Sequence, residues 1–304
     1  MTAVADDREQ QLAWEGRQRP RAGWSAIVAA VFLLGGFLWW VALLRASPQA
    51  NYLESLARLG DGPIGEQPSI QVEAMQYTVD NAIGFILSGL LRGLAPVALA
   101  YTVTFLAVAT RARRPAFPRL AVYMTIVGAV LFFLGTAGAE IERTIAFNSF
   151  LDGPRTVDDA RDVISSTTIT VALLAYVGQF VTAAGLLLVS LNAMRTGLLT
   201  RFLGILGVVA GVVSVFPQLM PVPLVQAFWL VALGLLLLGR GTLPPAWRTG
   251  EAEPWPSAKE SAERRRAAEE RRQGIVPEAK PKPKAKPAAS PHPSSKKRKR
   301  KRRD

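Results

Sequence analysis

The chain has 304 residues, 50% of them hydrophobic and 19% charged, and it contains no cysteine and one histidine. Without cysteine there is no disulfide, thiolate nucleophile or Cys-ligated zinc. The lone His292, between two prolines, excludes a multi-histidine centre, so no cofactor and no metal are expected. The formal charge of +13 is segregated: residues 240–304 hold 20 of the 36 Lys and Arg and 8 of the 23 Asp and Glu, leaving the first 239 residues at +1. The basic balance therefore describes a tail and not the body.

Residues 1–23 form a polar segment with four arginines against four acids. Trp24–Leu44 is apolar except for Ser25, long enough to cross a hydrocarbon core of about 30 Å. It exceeds the apolar stretch of a cleavable signal and reads as a signal anchor, with Trp24, Trp39 and Trp40 at interfacial depth. A polar loop, 46–71, contains Gly60-Asp-Gly62-Pro-Ile-Gly65. This matches a dinucleotide fingerprint by letter, but the strand and helix that the motif needs are missing. Apolar positions from Val72 to Leu90 recur at helical spacing and predict one helix running into a second span at about 92–110, with Pro96 inside it. Two prolines and four arginines mark the loop 111–119. Leu120–Ala139 is the third span, closing at Glu140-Ile-Glu142-Arg143, and a loop 144–156 is expected to follow. Thr156-Val-Asp-Asp159 has the form of a capping box and opens the helix of the fourth span, about 167–190.

That span ends in Asn192-Ala-Met-Arg-Thr-Gly-Leu-Leu-Thr-Arg201, followed at once by Phe202-Leu-Gly-Ile-Leu-Gly207-Val-Val-Ala-Gly211. The pattern resembles a turn found in uncharacterised bacterial polytopic membrane proteins, where one helix ends in Arg-x-Gly and the next begins with Arg-x-Leu-Gly-x-Leu. The resemblance covers about twenty residues. It implies a membrane bundle and transfers no site. Physically, Gly197 suits the left-handed position after a helix end, and Gly207 and Gly211 form a small-residue face. A fifth span, about 202–220, and a sixth, Val222–Arg240, flank a proline-rich turn. Arginines in the loops on the amino-terminal side number ten before the tail, against five in the longer opposite loops, which places both termini in the cytoplasm.

After Gly241 the chain turns polar. Ser257–Gln273 is at best a solvated helix of Glu–Arg pairs, and 274–304 is too rich in Pro, Lys and Ala to build a core and is expected to be disordered. It ends in Lys296, Lys297, Arg298, Lys299, Arg300, Lys301, Arg302 and Arg303. Beside a membrane such a run binds anionic lipid head groups; nucleic acid is the second partner for the same charge.

Arg92 is the one charge within an apolar stretch, and Glu140 and Glu142 are expected at the same depth on the third span, where either could pair with it. An intramembrane arginine reads either as an anchor that snorkels outward or as a ligand or ion-path residue. No catalytic constellation stands out, and an enzyme is not expected. The resulting expectation is an all-α, polytopic transmembrane helical bundle of the inner cell membrane. It has a polar segment 1–23, a six-span domain 24–240 and a disordered polybasic tail 241–304. It would serve as a membrane scaffold or sensor, with a small-solute transporter or permease as the alternative.

Overall fold

The computed structural model describes residues 2–49, 53, 62–216, 223–256 and isolated positions between 260 and 269, without the side chains of 2–6 and 165–170. Gly60 and Asp61, Pro217 and Pro221, and the whole run Lys296–Arg303 lie outside the described residues. The helices are α1 (Thr2–Ala46), α2 (Val72–Asp80), α3 (Ala82–Arg113), α4 (Leu120–Asp152), α5 (Val157–Arg195), α6 (Arg201–Val215), α7 (Leu224–Leu237) and the short α8 (Ala246–Thr249). There is no strand among the described residues, only an isolated bridge between Pro68 and Thr156. Four helices are long and apolar enough to cross a membrane: Asp7–Ala46, Ala82–Arg113, Leu120–Asp152 and Val171–Arg195. The apolar α6 and α7 have 15 and 14 residues, about 22 and 21 Å at 1.5 Å per residue.

Several boundaries differ from the sequence expectation, each for a local reason. The polar residues 2–23 are the first turns of α1 and not a separate segment. The expected single helix from Val72 breaks at Asn81, whose backbone leaves the helical region at φ −107° and ψ 21°. Its side-chain amide donates to the Tyr77 carbonyl at 2.9 Å, the local competition that makes asparagine favour helix ends. Helix α4 continues to Asp152, through most of the expected loop. Helix α5 opens with the expected capping box: Thr156 Oγ1 accepts from the Asp159 N–H, and the Asp159 carboxylate accepts from the Thr156 N–H at 3.1 Å. Gly197 takes φ +76° in the turn before α6, and Thr200 caps α6 by accepting from the Leu203 N–H at 3.2 Å.

The six long helices close into a ring in the order α1, α3, α4, α5, α6, α7 and back to α1, with α3 also touching α5 across the interior. Helices α1 and α3 run antiparallel, in a register set by hydroxyls. Ser25 donates to the Ala98 carbonyl at 2.7 Å and Thr102 to the Ala22 carbonyl at 2.9 Å. Helices α4 and α5 meet backbone to backbone. A methyl added at Gly135 would overlap Ala175, and one at Gly178 would overlap Phe132; Gly128 and Gly185 repeat the contact one heptad away, at Thr182 and Thr125. Gly23 and Gly234 bring α1 against α7 in the same way. Small residues thus line the interfaces, while Val31, Ile126, Val130, Leu173, Phe180, Ile205, Val212 and Phe228 face outward and exposed. A bundle in lipid is built this way, whereas a water-soluble one hides its large apolar side chains.

The main core fills the end of the bundle that carries the basic turns 111–119 and 195–201. Residues 241–255, which read from sequence as the start of the tail, belong to the body here, and the chain divides only after Trp255. Two indoles hold them: Trp247 Nε1 donates to the Leu198 carbonyl and Trp255 Nε1 to the Leu199 carbonyl, both at 2.8 Å. Trp247 also stacks on Phe105 with ring centroids 5.6 Å apart. Beneath it Arg113 and Glu15 form a fully buried bidentate pair at 2.5 and 2.9 Å, with Arg113 also donating to the Ala246 carbonyl at 2.7 Å. Residues 256–304 form a second unit.

Candidate functional site

Arg92 lies ten residues into α3, on the face that carries Gly89 and Gly93. Those two glycines admit α4: a Cβ at Gly89 would stand 2.7 Å from Glu140 Cγ, and one at Gly93 would stand 2.8 Å from Thr136 Oγ1. The close approach brings Glu140 to Arg92, with Arg92 Nη2 2.5 Å from Glu140 Oε1. The second oxygen of the same carboxylate takes Arg143 Nη1 at 2.9 Å, so one nearly fully buried carboxylate bridges two guanidiniums. Gly36 of α1 gives room for the Arg92 stem, since a Cβ at that position would stand 3.0 Å from Arg92 Cγ. One turn on, the Trp40 ring lies 4.8 Å from the Arg92 guanidinium carbon, within the range of a cation–π contact. Arg92 Nε also donates to the Ser88 carbonyl at 3.4 Å.

Glu142 is not brought to Arg92. Two residues along a helix face different ways, and Glu142 Oε2 is buried without a hydrogen-bond partner. Of the two carboxylates expected beside Arg92, only Glu140 is there. The acidic residues Asp152, Asp158, Asp159 and Asp162 form no ligand set: no group of three His, Cys, Asp or Glu able to hold a metal occurs among the described residues.

Arg92 also lines a partly open cavity of about 290 Å³ to which all six ring helices contribute, near the lower limit of small-molecule pockets. Its wall is chiefly aliphatic and aromatic, with Phe37, Leu99, Phe132 and Trp229 among the contributors. The polar groups are few and come from four helices: Arg92 of α3, Gln179 and Thr182 of α5, Ser214 of α6 and Gln226 of α7. Gln179 Nε2 donates to the Ser214 carbonyl, and Gln226 Nε2 donates to Ser214 Oγ at 3.3 Å. Thr182 Oγ1 and Gln226 Oε1 are buried and have no hydrogen-bond partner. An apolar chamber with a few convergent polar atoms is the usual form of a binding site. Among the described residues lining it, no serine or threonine is paired with a base.

Sequence reasoning singled out Arg92 and Glu140, and Trp40 only as an interfacial anchor, but not Thr182, Ser214 or Gln226. Gln226 carried a readable mark, as the only amide or charge in the apolar run Leu224–Leu237. Thr182 and Ser214 carried none, because a hydroxyl in a span most often bonds within its own helix. The terminal basic run, the other expected site, lies outside the described residues. No protein-family model, curated protein or solved structure matches this chain.

Proposed function

We propose that the chain is a multi-pass protein of the bacterial inner membrane that acts as a non-enzymatic sensor. Its body holds a small molecule in the cavity beside Arg92, and its tail meets anionic lipid on the cytoplasmic side. The observation that carries the reading is the cavity itself, set within an apolar helical ring and flanked by a neutralised arginine. If α6 and α7 also cross, giving six crossings, the arginine distribution puts both termini inside. The shorter α6 and α7 are accommodated by local thinning of the bilayer, at modest cost per ångström. In this orientation the cavity opens in the outer half of the membrane, while the core around Phe105, Leu198 and Trp247 seals the inner half. The likeness of residues 192–211 to uncharacterised bacterial polytopic membrane proteins agrees with such a body.

A small-solute permease is the second reading, favoured by Pro96 at the cavity wall, where a missing backbone hydrogen bond gives a helix a place to bend. One experiment separates them. The chain has no cysteine, so single cysteines at exposed Asn148, exposed Ala116 and cavity-lining Ser214 can be labelled with a small charged thiol reagent added to one side. The sensor reading expects labelling of Asn148→Cys and Ser214→Cys from outside only, and of Ala116→Cys from inside only. Labelling of Ser214→Cys from both sides is the outcome for a permease. No labelling at Ser214 from either side removes the cavity, and the reading with it.

A further inference from the structure

At the basic end of the bundle several arginines are engaged within the fold. Arg113 is held by Glu15, Arg8 by Glu251, Arg114 by Asn192 Oδ1 and Arg111 by the Phe117 carbonyl. Arg17 and Arg21 of α1 are not: both are exposed, with no hydrogen bond or ion pair among the described residues. They lie four apart on one helix face, where Cβ atoms are about 5–6 Å apart and like charges destabilise the helix. No acid relieves them, since the residues three or four away from either are Ala13, Trp14, Gln18, Pro20, Trp24 and Ser25. Glu15, two residues from Arg17, faces the interior and holds Arg113. Gln18 is taken as well, its Oε1 accepting from the Tyr101 hydroxyl of α3 at 2.8 Å. The same face of α1 continues through Trp24, Val28 and Val31, which are 60%, 39% and 61% exposed.

We infer that this face of α1 binds an anionic phospholipid. Its phosphate accepts from Arg21, its outer head-group oxygens accept from Arg17, and an acyl chain lies along Trp24, Val28 and Val31. The depth fits. Along the axis from Trp24, Arg21 is about 4.5 Å and Arg17 about 10 Å away at 1.5 Å per residue. The polar layer outside the hydrocarbon is about 5–7 Å deep on each side, so Arg21 is level with the phosphates and Arg17 with the head groups beyond them. Helical side chains lean toward the N-terminus, here away from the hydrocarbon, and a tryptophan suits the boundary itself. Arg17 selects the lipid. A zwitterionic lipid carries its ammonium outside the phosphate, against this second cation, whereas an anionic lipid carries hydroxyls, a carboxylate or another phosphate there. Hydrogen bonds from guanidinium to phosphate are charge-assisted and among the stronger ones. The inference needs only that α1 crosses the membrane, in either orientation, and is independent of the cavity and of the tail.

The test uses the full chain in nanodiscs, cross-linked by light to phosphatidylglycerol or phosphatidylcholine carrying the same diazirine near the top of one acyl chain. Mass spectrometry of the digested chain reads the label on residues 22–34 separately from any label on the tail. The inference expects at least threefold more label there from phosphatidylglycerol than from phosphatidylcholine. It expects at least a threefold loss of that label in Arg17→Gln with Arg21→Gln, and at least half of it kept in Arg17→Lys with Arg21→Lys. Arg195→Gln with Arg248→Gln removes the same charge from exposed arginines elsewhere and should leave the label unchanged. In phosphatidylcholine the Arg17 and Arg21 glutamine pair should melt no lower than the native chain, because no contact within the fold is lost. A fall in label is then an effect on the site and not on folding. Equal labelling by the two lipids, or labelling that the glutamine pair at 17 and 21 leaves unchanged, overturns the inference. An equal loss in the Arg195 and Arg248 pair overturns it too, since the lipid would then follow overall charge and not this face.

Discussion

Arg92 carries its charge into an apolar bundle, with Glu140 at 2.5 Å on one side and the Trp40 ring at 4.8 Å on the other. Breaking a buried pair costs about 3–5 kcal/mol, because the surviving charge is stranded. Here the consequences are unequal. Arg92→Ala leaves Glu140 paired with Arg143, so we expect about 2 kcal/mol of destabilisation, below the range for a lone pair. Glu140→Gln strands two guanidiniums and should be the more damaging single change. Arg92→Ala with Glu140→Gln should be little worse than Glu140→Gln alone, since contacting sites are not additive. Glu142→Gln should add to either, because Glu142 faces elsewhere. Reversible unfolding in mixed micelles measures all of these, and simple additivity of the Arg92 and Glu140 changes would show that the pair does not hold the bundle. The pair of Arg113 and Glu15 is more deeply buried, with side chains 0% and 3% exposed. It serves a different end, fixing the first turns of α1 and the α8 segment to the base of α3.

At the scale of the helices, the α4–α5 interface decides how closely the bundle can close. Its glycines are in contact with the partner's backbone, where nothing can rotate aside. Gly135→Ala and Gly178→Ala each force two helices apart and should cost about 3 kcal/mol, the upper end for an overpacked core. Gly35 of α1 is the control, since a Cβ there meets nothing within 4 Å. Gly35→Ala should be neutral or stabilise by up to about 1 kcal/mol through helix propensity. Thermal unfolding of the three variants ranks them; equal effects at Gly35 and Gly135 would mean that the close contact is not formed. The same logic explains the site, because Gly36, Gly89 and Gly93 are the positions that let α1 and α4 close on Arg92.

For the whole molecule, the division after Trp255 separates a body of almost no net charge from a strongly basic second unit. A peptide of residues 279–304 should bind vesicles containing anionic lipid and bind neutral ones poorly, since it has no aromatic residue to insert. Binding should fall steeply between 0.05 and 0.5 M salt, estimates set by a Debye length of about 10 Å at 0.1 M. Co-sedimentation measures it. For the full chain in anionic liposomes, RNA at about 0.15 M salt should not displace the tail; ready displacement would assign the run to nucleic acid.

Period and composition determined that the body is helical and apolar enough for a membrane, because hydrophobic runs of span length and the capping box at Thr156 are local quantities, readable within one segment. The same holds for Gly197, whose left-handed backbone follows from its place after a helix end. Only the tertiary structure decided which of two nearby carboxylates meets Arg92, since that depends on the rotation of α4 against α3, set by Gly89 and Gly93. Glu15 and Arg113 stand 98 residues apart, and no local pattern links them. The cavity belongs to no segment at all. It is the space left when six helices of unequal length close a ring, lined by Thr182, Ser214 and Gln226 from three different helices, and packing alone assembles such a space.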